Sequence, residues 1–104
     1  MPFNTDVDRA DHWKRHHADF EPPPCSEAEY EQKAETFLNG PIAAGALQCV
    51  RLLAPGRTRR CRYDPATNEY AVLAIEDGCL VTYFKPDPLK HRQATNEAYF
   101  HANC

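Results

Sequence analysis

The sequence predicts an α+β fold: two N-terminal helices, a four-stranded antiparallel sheet and a short C-terminal helix. Three observations predict it. Apolar residues recur at helical spacing through residues 13–38, and four short runs rich in Val, Leu, Tyr and Phe follow between residues 47 and 85. The connections between those runs are too short to hold a crossover helix, so the strands form a meander. A chain of 104 residues suits one domain.

A first helix is expected over residues 6–20, capped by Asp6 or Asp8. Trp13, His16, His17 and Phe20 fall at i, i+3, i+4 and i+7, on one face, and Pro22-Pro23-Pro24 ends the helix. Ser26 opens a second helix with Glu29 three residues on, the spacing of a capping box. Its apolar stripe is Tyr30, Ala34, Phe37 and Leu38, and Asn39-Gly40-Pro41 stops it. Strands are expected over residues 47–53, 58–63, 70–75 and 79–85, with turns at Pro55-Gly56, at residues 64–68 and at Glu76-Asp77-Gly78. Pro86 and Pro88 end the last strand, and Thr95 caps a short helix through Tyr99 and Phe100.

These turns set a register. Pairing Ile75 with Cys79 puts Thr82 across from Val72 and Lys85 across from Glu69; pairing Asp64 with Glu69 puts Arg62 across from Ala71. The helices are expected to cover one sheet face and leave the other partly open.

Hydrophobic residues are 42% and charged residues 26%, a globular composition rather than a disordered one. The net charge of −3 argues against a protein that grips a long nucleic-acid tract, because such proteins neutralise many phosphates. Yet residues 51–62 hold Arg51, Arg57, Arg59, Arg60 and Arg62 and no acid. That stretch reads either as a local RNA-binding edge or as an edge strand protected from aggregation by its charges. The five cysteines include no CxxC pair, and an odd count argues against a complete disulfide framework. They read as small buried apolar residues, with Cys104 at a frayed terminus. No apolar run approaches the ~20 residues needed to span a membrane. Asp6, Asp8 and Asp11 stand where a signal peptide would be basic and apolar, so export is expected to depend on a larger parent or a carrier.

His12 and His16, four residues apart, share a helix face. Zinc uses that spacing, but HExxH and a well-placed third ligand are missing, so neither a metal nor a cofactor is expected. Imidazole suits proton transfer near neutrality; the alternative is that these histidines flank Trp13 in the core. Arg62 and Lys85 are candidates for meeting negative charge on a phosphorane, or else surface charge, with Lys85 paired to Glu69. Thr82 offers a hydroxyl to a phosphate or serves as a strand former. The Tyr83 ring is a candidate for stacking a base, or for packing.

Several motifs occur in order. They are His12-Trp13-Lys14-Arg15-His16-His17-Ala18-Asp19-Phe20; then Tyr30, Ala34 and Phe37; then Arg62-Tyr63-Asp64-Pro65-Ala66-Thr67-Asn68-Glu69-Tyr70-Ala71-Val72-Leu73; an Asp77-Gly78 turn; Thr82-Tyr83-Phe84-Lys85-Pro86-Asp87-Pro88; and Asn96, Tyr99 and Phe100. Over residues 11–100 this pattern resembles the C-terminal toxin modules of bacterial polymorphic toxins, of the contact-dependent (CdiA) and Rhs types. Those modules belong to the metal-independent ribonuclease superfamily of barnase, EndoU, colicin nucleases and RelE.

The resemblance implies an endoribonuclease toxin domain that cleaves RNA, above all tRNA, by 2′-hydroxyl transesterification. It would be delivered within a larger secreted effector and act in the target-cell cytoplasm. A cognate immunity protein and an activating host factor are the implied protein partners. Residue by residue, it makes His12 and His16 the acid–base pair, Arg62 the phosphate clamp, Thr82 a positioning group and Lys85 a second cation. Arg51, Arg57, Arg59, Arg60 and Tyr83 would bind RNA. His17 and Val81 depart from the pattern, which often has Gly and a basic residue there. The alternatives are an ADP-ribosyltransferase-type toxin and a catalytically inactive binding module; the HxE and PCxxC motifs of a cytidine deaminase are missing.

Overall fold

The computed structural model of the protein describes residues 2–104. Helix α1 (Asp6–His16) passes into a 3-10 turn (His17–Asp19), and α2 (Glu27–Asn39) follows. Strands β1 (Leu47–Ala54), β2 (Arg57–Asp64), β3 (Glu69–Ala74) and β4 (Cys79–Phe84) form one antiparallel sheet in sequential order. A single-turn helix α3 (Pro88–His91) and the terminal α4 (Asn96–Ala102) complete the chain. The α+β architecture expected from the sequence is therefore present, with α3 as an addition. Among the described residues, no helix is long and apolar enough to cross a membrane.

Local chemistry accounts for the helix ends. Thr5, rather than Asp6 or Asp8, caps α1: its hydroxyl accepts from the Asp8 amide at 3.0 Å. Both aspartates lie inside the first turn, where a carboxylate complements the helix dipole. The Ser26 hydroxyl accepts from the Glu29 amide at 3.2 Å, while Glu29 reaches past the cap to the Cys25 amide at 3.0 Å. Proline at the start of α3 follows Asp87, whose carboxylate accepts from the Leu89 amide.

The sheet has two cores. Towards α1 and α2, Ala71, Leu73, Leu80 and Tyr83 pack with Phe3, Phe20, Tyr30, Ala34 and Leu38. On the opposite face, Cys61, Tyr63, Tyr70 and Val72 pack with Phe100 of α4, flanked by Phe84 and Tyr99. Arg62 pairs with Ala71 and Asp64 with Glu69, as the turn at residues 64–68 implied. At β3–β4 the route differs. Ala74, not Ile75, pairs with Cys79, and Val81 is an extra residue, with Leu73 opposite Leu80 but Val72 opposite Thr82. The bulge restores the Thr82–Val72 pairing and turns both Leu80 and Tyr83 into the same core.

Cys49 and Cys104 form a disulfide across a Cα separation of 6.3 Å, so the terminal cysteine is tied to β1 rather than frayed. Cys61 is buried, while Cys25 and Cys79 remain free and at least partly accessible.

Two arginines of β2 complete α2. The last carbonyls of a helix lack partners within it, and the final turn of α2 holds no basic residue. Arg62, only 6% exposed, donates to the carbonyls of Phe37 (2.7 Å) and Gly40 (2.8 Å), and its Nε donates to Gln48 Oε1 (2.8 Å). Arg60, on the same sheet face, donates to the Leu38 carbonyl at 3.1 Å. Replacing Arg62 with Met keeps an apolar stem but strands these acceptors. Urea unfolding of Arg62→Met should show a loss of about 2–4 kcal/mol, with Arg60→Met losing less. Equal stability of Arg62→Met and the parent protein would remove the arginine clamp.

Candidate active site

Three adjoining cavities share Lys85. One, of about 210 Å³, is lined by His16, Asp19, Phe84, Asp87, Lys90, His91 and Tyr99 together with Lys85. A second, of about 310 Å³, lies between Phe20, Glu21, Lys33, Thr67 and Glu69. The third, of about 370 Å³, continues over Asn68, Pro86, Lys90 and Asn96. They form one groove around the end of β4, where the Val81 bulge and Pro86 fix the course of the chain.

His16 is the best-placed proton-transfer group. Its ring stacks on Phe84 at 5.2 Å, and Asp19 approaches Nδ1 at 3.5 Å. A carboxylate on Nδ1 orients the ring and leaves Nε2 as the reactive nitrogen. Burial, then the charge of Arg15, lowers the His16 pKa below the ordinary 6.5; Asp19 acts in the opposite sense, and His12 adds to the lowering. The imidazole is thereby biased towards its neutral, proton-accepting form at neutral pH.

His12 stands one turn back. Its ring is 5.8 Å from that of His16, but it stacks on Phe3 at 5.1 Å and lines none of the three cavities. Its buried Nδ1 has no hydrogen-bond partner among the described residues. Burial, followed by Arg15, lowers its pKa too. His17 is absorbed by structure: it stacks on Trp13 at 4.3 Å, and Nδ1 meets the Trp13 carbonyl at 2.7 Å.

Sequence reasoning left His91 unassigned. It stacks on Tyr99 at 4.4 Å, its Nδ1 accepts from the Gln93 amide at 3.1 Å, and its Nε2 lies 2.9 Å from Asn96 Oδ1. The Asn96 amide in turn donates to Asn68 Oδ1, which also accepts from the Tyr63 hydroxyl, both at 2.9 Å. Asn68 adopts φ 58°, a left-handed conformation that asparagine tolerates well in turns. Thus the turn between β2 and β3 sets the position of His91 through two amide side chains. With both nitrogens engaged, His91 serves as a wall of the cavity. The signal that could have found it was the pair His91 and Asn96 beside the Asn68 turn.

The remaining candidates divide between the groove and the frame. Lys85 stays in the groove, its Nζ 5.4 Å above the Phe20 ring, with Lys33 at 5.8 Å from the same ring. It forms no ion pair with Glu69 among the described residues; that carboxylate accepts the Tyr83 hydroxyl. Thr82 is half-buried on the face shared with Val72, and its hydroxyl makes no hydrogen bond among the described residues.

Two assignments are corrected. Tyr83 is wholly buried at 0% exposure and cannot stack a base; the Tyr30 hydroxyl donates to its carbonyl, and burial followed by the Glu69 hydrogen bond raises its pKa. Phe84 and Tyr99 supply the accessible rings instead. Arg62 is not beside the histidines: it faces a cavity at the end of α2 that shares no lining residue with the His16 cavity. Its buried guanidinium is committed to backbone carbonyls, and burial, then the Arg60 charge, lowers its pKa.

Arg60 is likewise held by α2. Arg51 and Arg59 pair directly across β1 and β2 and line a cavity of about 190 Å³ on the α4 face; Arg51 also donates to the Asn103 carbonyl at 3.1 Å. Arg57 is exposed at the β1–β2 hairpin. None of these arginines reaches the groove around Lys85. Among the described residues, no group of three or more His, Cys, Asp or Glu side chains could hold a metal ion.

The lowered pKa values of His12 and His16 have a stability consequence. Between the folded values and 6.5 the unfolded chain binds more protons than the folded one, so acidification favours unfolding. Stability from this source is full above pH 6.5 and falls as pH drops below it. Proton NMR should give both rings midpoints below 6.5, and unfolding free energy should decline from pH 7 to pH 5.5 less steeply in a His12→Gln, His16→Gln variant. Midpoints at or above 6.5 would contradict the burial.

Compared with known protein families and with curated proteins, the chain matches none.

Proposed function

We propose that the protein is a metal-independent endoribonuclease that cleaves RNA by 2′-hydroxyl transesterification at the groove around Lys85. The observation that carries this reading is the convergence of an Asp-oriented histidine, two lysines and two aromatic rings in one cavity: His16 with Asp19, Lys85 with Lys90, and Phe84 with Tyr99. A phosphodiester needs a base beside the 2′-hydroxyl, cations beside the phosphorane, and surfaces that hold unstacked nucleotides.

His16 Nε2 takes the proton of the 2′-hydroxyl as its oxygen attacks phosphorus. The Lys85 ammonium faces the charge that builds on the phosphoryl oxygens. As the bond from phosphorus to the 5′-oxygen breaks, that oxygen takes a proton from Lys85, and a 2′,3′-cyclic phosphate remains. The burial that lowers the His16 pKa keeps the base available to slightly acid pH.

The resemblance to polymorphic-toxin ribonucleases supports the wider setting: a toxin module delivered in a larger effector, tRNA as target in a recipient cytoplasm, an immunity protein as inhibitor and a host factor as activator. Two features of this reading differ from what the resemblance implied. Lys85 replaces Arg62 as the principal cation, and His16 carries the proton transfer without His12 in the cavity.

Purified protein with total bacterial RNA in EDTA should yield discrete fragments with cyclic phosphate ends. His16→Ala should lower the rate by about 10²–10⁴-fold, the usual worth of a general base. Lys85→Ala should fall by a similar factor, whereas Thr82→Val should change it little. The rate should rise with pH through a midpoint below 6.5. RNA left intact by a folded protein, or full activity in His16→Ala, would refute the assignment.

A further inference from the structure

Strand β1 is an edge strand with eight residues, ~26 Å of extended chain at 3.3 Å per residue, in a molecule 32 Å in its longest dimension. Among the described residues, no backbone group of residues 47–54 bonds to anything outside the ladder with β2. Its outer row of amides and carbonyls is unpaired along most of the molecule. Natural proteins shield such edges with charges, prolines or covering elements. Here Val50 is 62% exposed, Leu52 68% and Leu53 42%. Arg51 is the only charged residue within the strand.

The side chains of β1 sort by face. Val50 pairs with Arg60 and Leu52 with Thr58, so both lie on the side of α2, which does not extend over them. Cys49 pairs with Cys61 and Arg51 with Arg59, so both lie on the side of α4. One side of the edge thus presents Val50 and Leu52, and the other presents Arg51 and Arg59 with Leu53 beside them. Residues 40–63 contain no acid, and Glu76, across the ladder from them, is held by the Thr58 amide and hydroxyl at 2.7 and 2.6 Å.

A second copy of this chain is a poor occupant, because its β1 carries no carboxylate to meet Arg51 and Arg59. RNA is also a poor occupant, because it has no peptide backbone to pair with the open row of amides and carbonyls. We propose that the β1 edge binds an extended segment of a partner protein whose residues alternate apolar and acidic. The segment adds a fifth strand, its apolar side chains covering Val50 and Leu52 and its carboxylates meeting Arg51 and Arg59. This surface is separate from the groove around Lys85 and does not depend on the ribonuclease reading.

An N-acetylated eight-residue peptide of alternating Val and Glu is the probe, titrated into isotope-labelled protein and followed by NMR. Shifts and slowed exchange at alternate β1 amides are expected. They should be lost when the peptide backbone is N-methylated at alternate positions, when Lys replaces Glu, and when the same residues are arranged as four Val followed by four Glu. Leu52→Lys, a change at an exposed side chain, should weaken binding without altering the unfolding midpoint. Four results would overturn the proposal: no shift at millimolar peptide, equal shifts from the Lys peptide, concentration-dependent dimerisation through β1, or stronger β1 shifts from a short oligoribonucleotide.

Discussion

Val81 has no partner on β3, and this extra residue decides which way the end of β4 faces. Without it, strict alternation after Leu80 would carry Tyr83 to the opposite face. With it, Tyr83 turns inward and joins Phe20, Tyr30 and Phe37, while its hydroxyl reaches Glu69 and its carbonyl receives the Tyr30 hydroxyl. Phe84 then turns to the opposite face, against Tyr70, Tyr99 and the His16 ring, and Lys85 stands beside Phe20. One backbone irregularity therefore couples the packing of both helices to the placement of the groove's aromatic floor and its cation. Bulges commonly re-aim the side chains that follow them, and this one sets the faces taken by Tyr83 and Phe84.

The arginines follow a second economy. Arg60 and Arg62 complete the C-terminal end of α2, and Arg51 does the same for the carbonyl at the end of α4. Charges that look like a nucleic-acid footprint in the sequence are largely consumed as helix-terminating donors. This reconciles a run of arginines with a chain whose net charge is −3. It leaves lysines in the groove, where Lys33, Lys85 and Lys90 are joined by Glu21, Glu69, Asp19 and Asp87. A groove of mixed charge suits contact with a few phosphates around one bond rather than a long tract.

Much of this fold was legible in the sequence because its signals are local. Ser26 with Glu29, the turn at residues 64–68 and Thr95 each specify an element end through a hydrogen bond a few residues away. The Arg62–Ala71 pairing followed from one turn. What stayed hidden depends on tertiary neighbours. Pairing Arg62 with Ala71 gives its face, but only the docked end of α2 reveals what its guanidinium meets. The Cys49–Cys104 bridge spans 55 residues and has no spacing signature. His91 gains its position through Asn96 and Asn68, a contact across 28 residues. His16 and Lys85 were singled out by the resemblance, and helix phase and strand end bring them to one cavity. The register already set Tyr83 opposite Ala71, but only the docked helices show that this face is closed over its ring.

The central claim is that His16, Phe84, Lys85 and Tyr99 act as one nucleotide-binding site. It is tested most directly by NMR titration with a dinucleotide whose 2′-hydroxyl is replaced by hydrogen, so that it binds without being cleaved. The account requires the resonances of these four residues to shift together with a single affinity, with Arg62 unmoved. Shifts confined to Arg51 and Arg59, or centred on Arg62 with His16 silent, would contradict it.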